Sequence, residues 1–145
     1  MGRINGKRIV LGGIVAAVIV NVGEGLLGLL LRKDYEAAIR ALGIHMEPDL
    51  ATLLPIAWSV VVGILAIWLY AAIRPRYGPG PRTAVRAGLA LWAFSTVTFS
   101  VAMASLRIFP VRLMAIATAW SLVEIIVAVV VGASLYRENS TSEVS

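Results

Sequence analysis

The sequence predicts an all-α fold: a polytopic membrane protein with four transmembrane helices in an antiparallel bundle and a short interfacial helix in the first connection. Three observations predict it. Hydrophobic residues make up 59% of the 145 residues and charged residues only 14%, far from the balance of a soluble domain. The charged residues are gathered between apolar blocks, four of which reach the ~20 residues that a ~30 Å hydrocarbon core requires. Proline collects at the ends of the blocks and in the connections, where the chain must reverse.

The first span is read at 9–31. Residues 1–8 supply a basic flank, but the run is too long for the apolar stretch of a signal peptide and carries Glu24, so an uncleaved span is expected. In the first connection Asp34 is a suitable N-cap, and Tyr35, Ala38, Ile39 and Leu42 form one apolar stripe before Gly43. That pattern predicts a helix over 35–42 lying in the outer membrane interface. The second span is read at 53–73, with Pro48 ahead of it and Pro55 in its first turn, where a missing N–H is tolerated. The segment from Arg74 to Arg82 is broken by Pro75, Gly78, Pro79, Gly80 and Pro81, and is read as unable to hold a helix. The third span is read at 87–106. A tight reversal at Arg107–Pro110 leads to the fourth at 111–136. Together residues 1–137 make one membrane domain, and 138–145 form a polar tail expected to be disordered.

Eight Lys and Arg residues flank the N-terminus, the second connection and the tail, against five in the first and third connections. This bias predicts that both termini are cytoplasmic. The same placement, in short loops beside spans, assigns the net charge of +5 to topology and lipid headgroups rather than to nucleic acid. The expected partners are therefore the lipid bilayer and other membrane subunits or further copies of the chain, with no nucleic acid. With no cysteine and one histidine, His45 in the outer connection, the sequence offers no zinc set and no bis-His haem site. No metal and no cofactor are expected. The tryptophans and tyrosines of spans two to four read as packing and as interfacial anchors.

Glu24 and Glu124 are the residues that carry chemistry. Each lies inside a span, and a carboxyl in hydrocarbon must face a bundle interior, a wet cavity or a partner. On the first span Gly13, Ala17, Asn21, Glu24 and Gly28 fall on one helix face; on the fourth, Ala117, Ser121, Glu124 and Ala128 do, with Gly132 close by. Small residues on such a face let backbones approach, and polar ones supply hydrogen bonds that lipid cannot. The two stripes are expected to face each other. Measured from the outer span ends at 1.5 Å per residue, Glu24 lies roughly 10 Å deep and Glu124 about 20 Å. This gives a staggered polar ladder of Asn21, Glu24, Ser121 and Glu124. Apart from Arg112 in the first turn of the fourth, no basic residue lies in any span, so desolvation favours the neutral acids, which can donate to Asn21, Ser121 or a hydroxyl of Ser95, Thr96, Thr98 or Ser100. Gly23 and Gly25 flank Glu24 and read first as packing glycines, with local helix flexing as the alternative.

The plan resembles the small bacterial four-helix inner-membrane proteins grouped as domains of unknown function. The likeness rests on Asn21-Val-Gly-Glu24, on Tyr35-Glu-Ala-Ala-Ile-Arg-Ala-Leu-Gly43, on Trp68-Leu-Tyr-Ala-Ala-Ile-Arg-Pro-Arg76 and on Ala87-Gly-Leu-Ala-Leu-Trp92. It covers most of residues 5–137 and implies the fold and a bacterial inner-membrane location, but no activity. Small four-helix multidrug exporters also carry a first-span Glu; this chain departs from them in its longer first connection and its second Glu in the last span. The leading functional expectation is non-enzymatic: a small integral membrane protein acting through helix–helix association, as a homo-oligomer or an accessory subunit. The alternative is a proton-coupled transporter or channel using Glu24 and Glu124. No nucleophile–base pair, metal set or phosphate loop points to an enzyme.

Overall fold

The computed structural model describes residues 4–43 and 47–138; Arg3, His45 and residues 139–145 of the polar tail lie outside the described residues. The described chain is helical throughout its ordered elements: α1 (Gly6–Leu30), α2 (Arg32–Ala41), α3 (Pro48–Tyr77), α4 (Pro81–Ser105) and α5 (Val111–Ser134). Of these, α1, α3, α4 and α5 are long and apolar enough to cross a membrane, with mean hydropathies between 1.6 and 2.3.

Local chemistry sets most of the ends. The Asn5 side chain accepts from the Arg8 backbone N–H at 3.2 Å and caps α1. α1 passes into α2 through Leu31 alone, whose φ and ψ of −107° and 18° break the helix. Asp34 is therefore not the cap of α2, as the sequence suggests, but an acid in its first turn, where it complements the helix dipole. Gly43, at φ +64°, ends α2 in the left-handed conformation that glycine adopts without steric cost.

The second connection is shorter than its composition implies. α3 continues through Pro75 to Tyr77, because a proline in the last turn removes one hydrogen bond and the Gly78 N–H still reaches the Arg74 carbonyl at 2.8 Å. α4 starts at Pro81, in the first turn, where proline is tolerated. Only Gly78–Gly80 is left to reverse the chain. The Thr83 hydroxyl donates to the Gly78 carbonyl at 2.7 Å, and the Tyr70 hydroxyl accepts from the Gly80 N–H at 3.2 Å.

Packing centres on α1, which lies against both α3 and α5, while α4 lies against α5 and α3. The main core joins Ile9 of α1, Ala66, Ile67, Tyr70 and Ala71 of α3, Ala84 and Ala87 of α4, and Ile125, Val129 and Ala133 of α5. A smaller cluster at the opposite end joins Ala38 of α2 to Leu113 and Met114 of α5. α4 contains a wide π turn at Ala93–Val97, after which the helix carries no buried residue. Arg74 closes the core end: it pairs with Glu138 at 2.8 Å and lies 5.6 Å from the centre of the Tyr136 ring, which meets Tyr70 edge-on.

Candidate functional site

Glycines bring α1 close to its neighbours along two adjacent lines. On the first line Gly13 lies against the Ile64 backbone, and a Cβ on Gly63 would collide with the Gly13 carbonyl and the Ala17 N–H. One turn on, Asn21 donates to the Ser59 hydroxyl at 2.6 Å and to its own Ala17 carbonyl at 2.9 Å. The run 13/17/21 thus meets α3. The second line, shifted by one residue, is Gly12, Ala16 and Gly23. A Cβ on Gly12 would stand 2.5 Å from the Gly132 carbonyl oxygen, and one on Gly23 would stand 2.5 Å from Glu124 Oε2. This line meets α5.

The two stripes read from the sequence therefore do not face each other as a pair. A stripe three or four residues apart is broad enough for one helix to serve two neighbours, and α1 divides its small residues between them. Gly28 lies beyond both contacts, where an added Cβ would meet nothing. Ala128 is buried, and Ala117 is half-buried.

Glu124 is buried, 8% exposed, and its Oε2 has no hydrogen-bond partner among the described residues. Gly23 makes room for it: any larger residue there would occupy the space of the carboxyl. Trp120, one turn away on α5, donates its indole N–H to the Gly23 carbonyl at 3.2 Å. A groove of about 650 Å³ runs beside this contact, lined from α1 by Ile19, Val22 and Gly23 and from α5 by Trp120, Val123, Glu124 and Val127 among others.

Glu24 is exposed. It is close enough to Glu124 for their charges to interact, and it also acts on Tyr35, whose phenol is pushed above its ordinary pKa by burial and next by Glu24. The expected stagger of nearly two turns is absent, since Gly23, the neighbour of Glu24, touches Glu124. The reason is that the ends of α1 and α5 are not level here. The first turn of α5 extends past α1 and packs on α2 through Leu113 and Met114, so counting inward from its start overstates the depth of Glu124.

Ser121 does not join the carboxyls either. Its hydroxyl donates to the Thr118 carbonyl at 2.9 Å and accepts from the Trp92 indole of α4 at 3.2 Å. Ser100 meets Thr118 at 2.7 Å, and Ser95 and Thr98 bond carbonyls of their own helix. The ladder thus separates into three small polar contacts: Asn21–Ser59, Gly23–Trp120–Glu124 and Trp92–Thr118–Ser121.

Ser59 and Trp120 were not singled out by sequence reasoning. A signal for Ser59 did exist: Ser59, Gly63, Ala66 and Tyr70 recur at spacings of four, three and four, and all are buried. Trp120 carries no such pattern. Among the described residues no group of His, Cys, Asp and Glu can hold a metal. No protein-family model, curated protein or solved structure matches this chain.

Proposed function

We propose that this chain is a small, non-enzymatic integral membrane protein of the bacterial inner membrane that acts through lateral helix association, as a homo-oligomer or an accessory subunit of a larger complex. The observation that carries this reading is the exposure of Glu24 on a helix apolar enough to span a bilayer. A carboxyl facing hydrocarbon is costly, and a partner helix that covers it supplies the missing hydrogen bond. Val22 and Leu26 flank it as further exposed surface, at 59% and 50%.

In this reading the four long helices form an antiparallel bundle with both termini cytoplasmic. The pairs Gly12 with Gly132, Gly23 with Glu124, and Asn21 with Ser59 support it, since partner numbers on α5 fall, from 132 to 124, as those on α1 rise. A photo-crosslinking residue placed at Val22 or Leu26 in native membranes tests the association. A discrete product is expected at both positions, lost when Glu24 is replaced by Leu; no product at either position would refute the reading.

A second reading, a proton- or cation-coupled transporter, is favoured by one specific observation: the buried Glu124, whose Oε2 has no hydrogen-bond partner among the described residues, beside an open groove. Glu124→Gln keeps the shape and the capacity for hydrogen bonding. If Glu124 carries the proton, this variant keeps its assembly but loses pH-driven flux in liposomes; unchanged flux removes the reading.

A further inference from the structure

The groove between α1 and α5 is small, apolar and acidic at one point, and this combination narrows what can occupy it. Its lining runs from Ile116 to Val127 on α5 but only from Ile19 to Gly23 on α1. At 1.5 Å per residue the longer wall is roughly 17 Å, about half of what a spanning helix would need. The volume of about 650 Å³ sits within the ~300–1,000 Å³ typical of small-molecule sites. Its walls are Ile, Val and Ala, which favour an apolar body.

The head of the occupant is set by charge. Glu124 lines the groove, is more than nine-tenths buried, and its Oε2 has no hydrogen-bond partner among the described residues. Glu24 adds a second acid nearby, and no Lys or Arg lies within 9–31 or 111–134 apart from Arg112 in the first turn of α5. Anionic and phosphate-bearing amphiphiles are therefore repelled. A neutral amphiphile gains only a hydrogen bond from the carboxyl, whichever its protonation state. An ammonium group stabilises the ionised carboxylate by charge pairing in low dielectric, and the Trp120 ring in the same wall offers a cation–π contact.

We propose that the α1–α5 groove binds a monocationic amphiphile, an ammonium head on an apolar chain, with Glu124 as its counter-ion and Trp120 as its aromatic wall. The occupant enters sideways from the lipid, because the groove lies between two spanning helices. The proposal rests on the second functional reading and names the ligand class for it.

The test uses the full chain in nanodiscs of zwitterionic phosphatidylcholine, titrated with decylammonium and, separately, with decanol as its neutral counterpart. Saturable decylammonium binding is expected, weakened at least tenfold by Glu124→Gln and two- to threefold by Glu24→Gln. Decanol binding should be weak and indifferent to Glu124→Gln. Ala119→Phe, on the exposed groove wall, should abolish decylammonium binding while leaving the carboxyl in place; it keeps the test decisive if Glu124→Gln fails to fold. Absent saturable binding, equal binding by Glu124→Gln, or equal binding of decanol would each overturn the proposal. Proton flux without any amine separates the two levels: flux that depends on Glu124 with no amine binding defeats the ligand assignment alone, and loss of both defeats the transport reading as well.

Discussion

Gly12 and Gly132 meet backbone to backbone, so neither position can accept a side chain unless the helices part. Gly12→Ala and Gly63→Ala are each expected to cost about 1–3 kcal/mol, the range for overpacking a tight contact. Gly25, where an added Cβ would meet nothing, is the matched control: Gly25→Ala should be neutral or slightly stabilising through helix propensity. Thermal unfolding in detergent micelles checks all three. The Asn21–Ser59 bond, at 2.6 Å, should show a coupling of about 0.6–2 kcal/mol in a double-mutant cycle with Asn21→Leu and Ser59→Ala. Among the residues, Asn21, Glu24 and Glu124 were legible as polar groups in apolar runs. Their partners were not, because a helical stripe fixes which residues share a face but not which neighbour that face meets. Gly23 shows the limit most clearly: read as a packing glycine, it is the residue that admits the Glu124 carboxyl.

At the scale of elements, the apolar blocks located four long helices, and the ends moved for local reasons. Prolines that read as breakers at 75 and 81 sit instead in a last turn and a first turn, where one lost N–H costs little. The wide turn at Ala93–Val97 left no mark in the sequence, since it holds no Pro or Gly and its weaker helix formers also occur in regular helices. Such a turn absorbs one extra residue without rotating the helix on either side. Deleting Phe94, which is 84% exposed, should therefore restore a regular helix and keep both Trp92 and Ser100 on α5. Circular dichroism and melting should stay near wild type, whereas deleting the buried Ala87 should unfold the domain. In α2, the Arg32 guanidinium bonds Glu36 at 2.7 Å and holds its carboxyl below the usual carboxylate range. The folded state thus favours ionised Glu36: the contribution is present above the ordinary carboxylate pKa and is lost as pH falls through the lowered one. The pair lies at the surface, with side-chain exposures of 73% and 45%, so Glu36→Gln should leave the melting temperature within error at high salt, and a large drop would contradict that picture.

For the whole molecule, the absence of cysteine turns topology into a clean measurement. Single-cysteine variants at Arg82 and Arg107, both exposed, report on opposite connections. If the termini are cytoplasmic, a membrane-impermeant maleimide should label Arg107→Cys in intact cells and Arg82→Cys only after permeabilisation; the reverse pattern would invert the protein. Overall composition announced the membrane because it reflects the solvent. The relative heights of the helices depend on α2 packing against the first turn of α5, a tertiary contact between Ala38 and Leu113 that composition cannot express.

The division of α1 into two glycine lines also has a consequence in time. Asn21 meets a hydroxyl 38 residues later in the chain, whereas the carbonyl of Gly23 meets an indole 97 residues later. During synthesis the first of these contacts can close while most of the polypeptide is still being made. The second stays open in the lipid until the last helix leaves the ribosome, and until then Gly23 shares its bilayer face with whatever chain is inserted beside it.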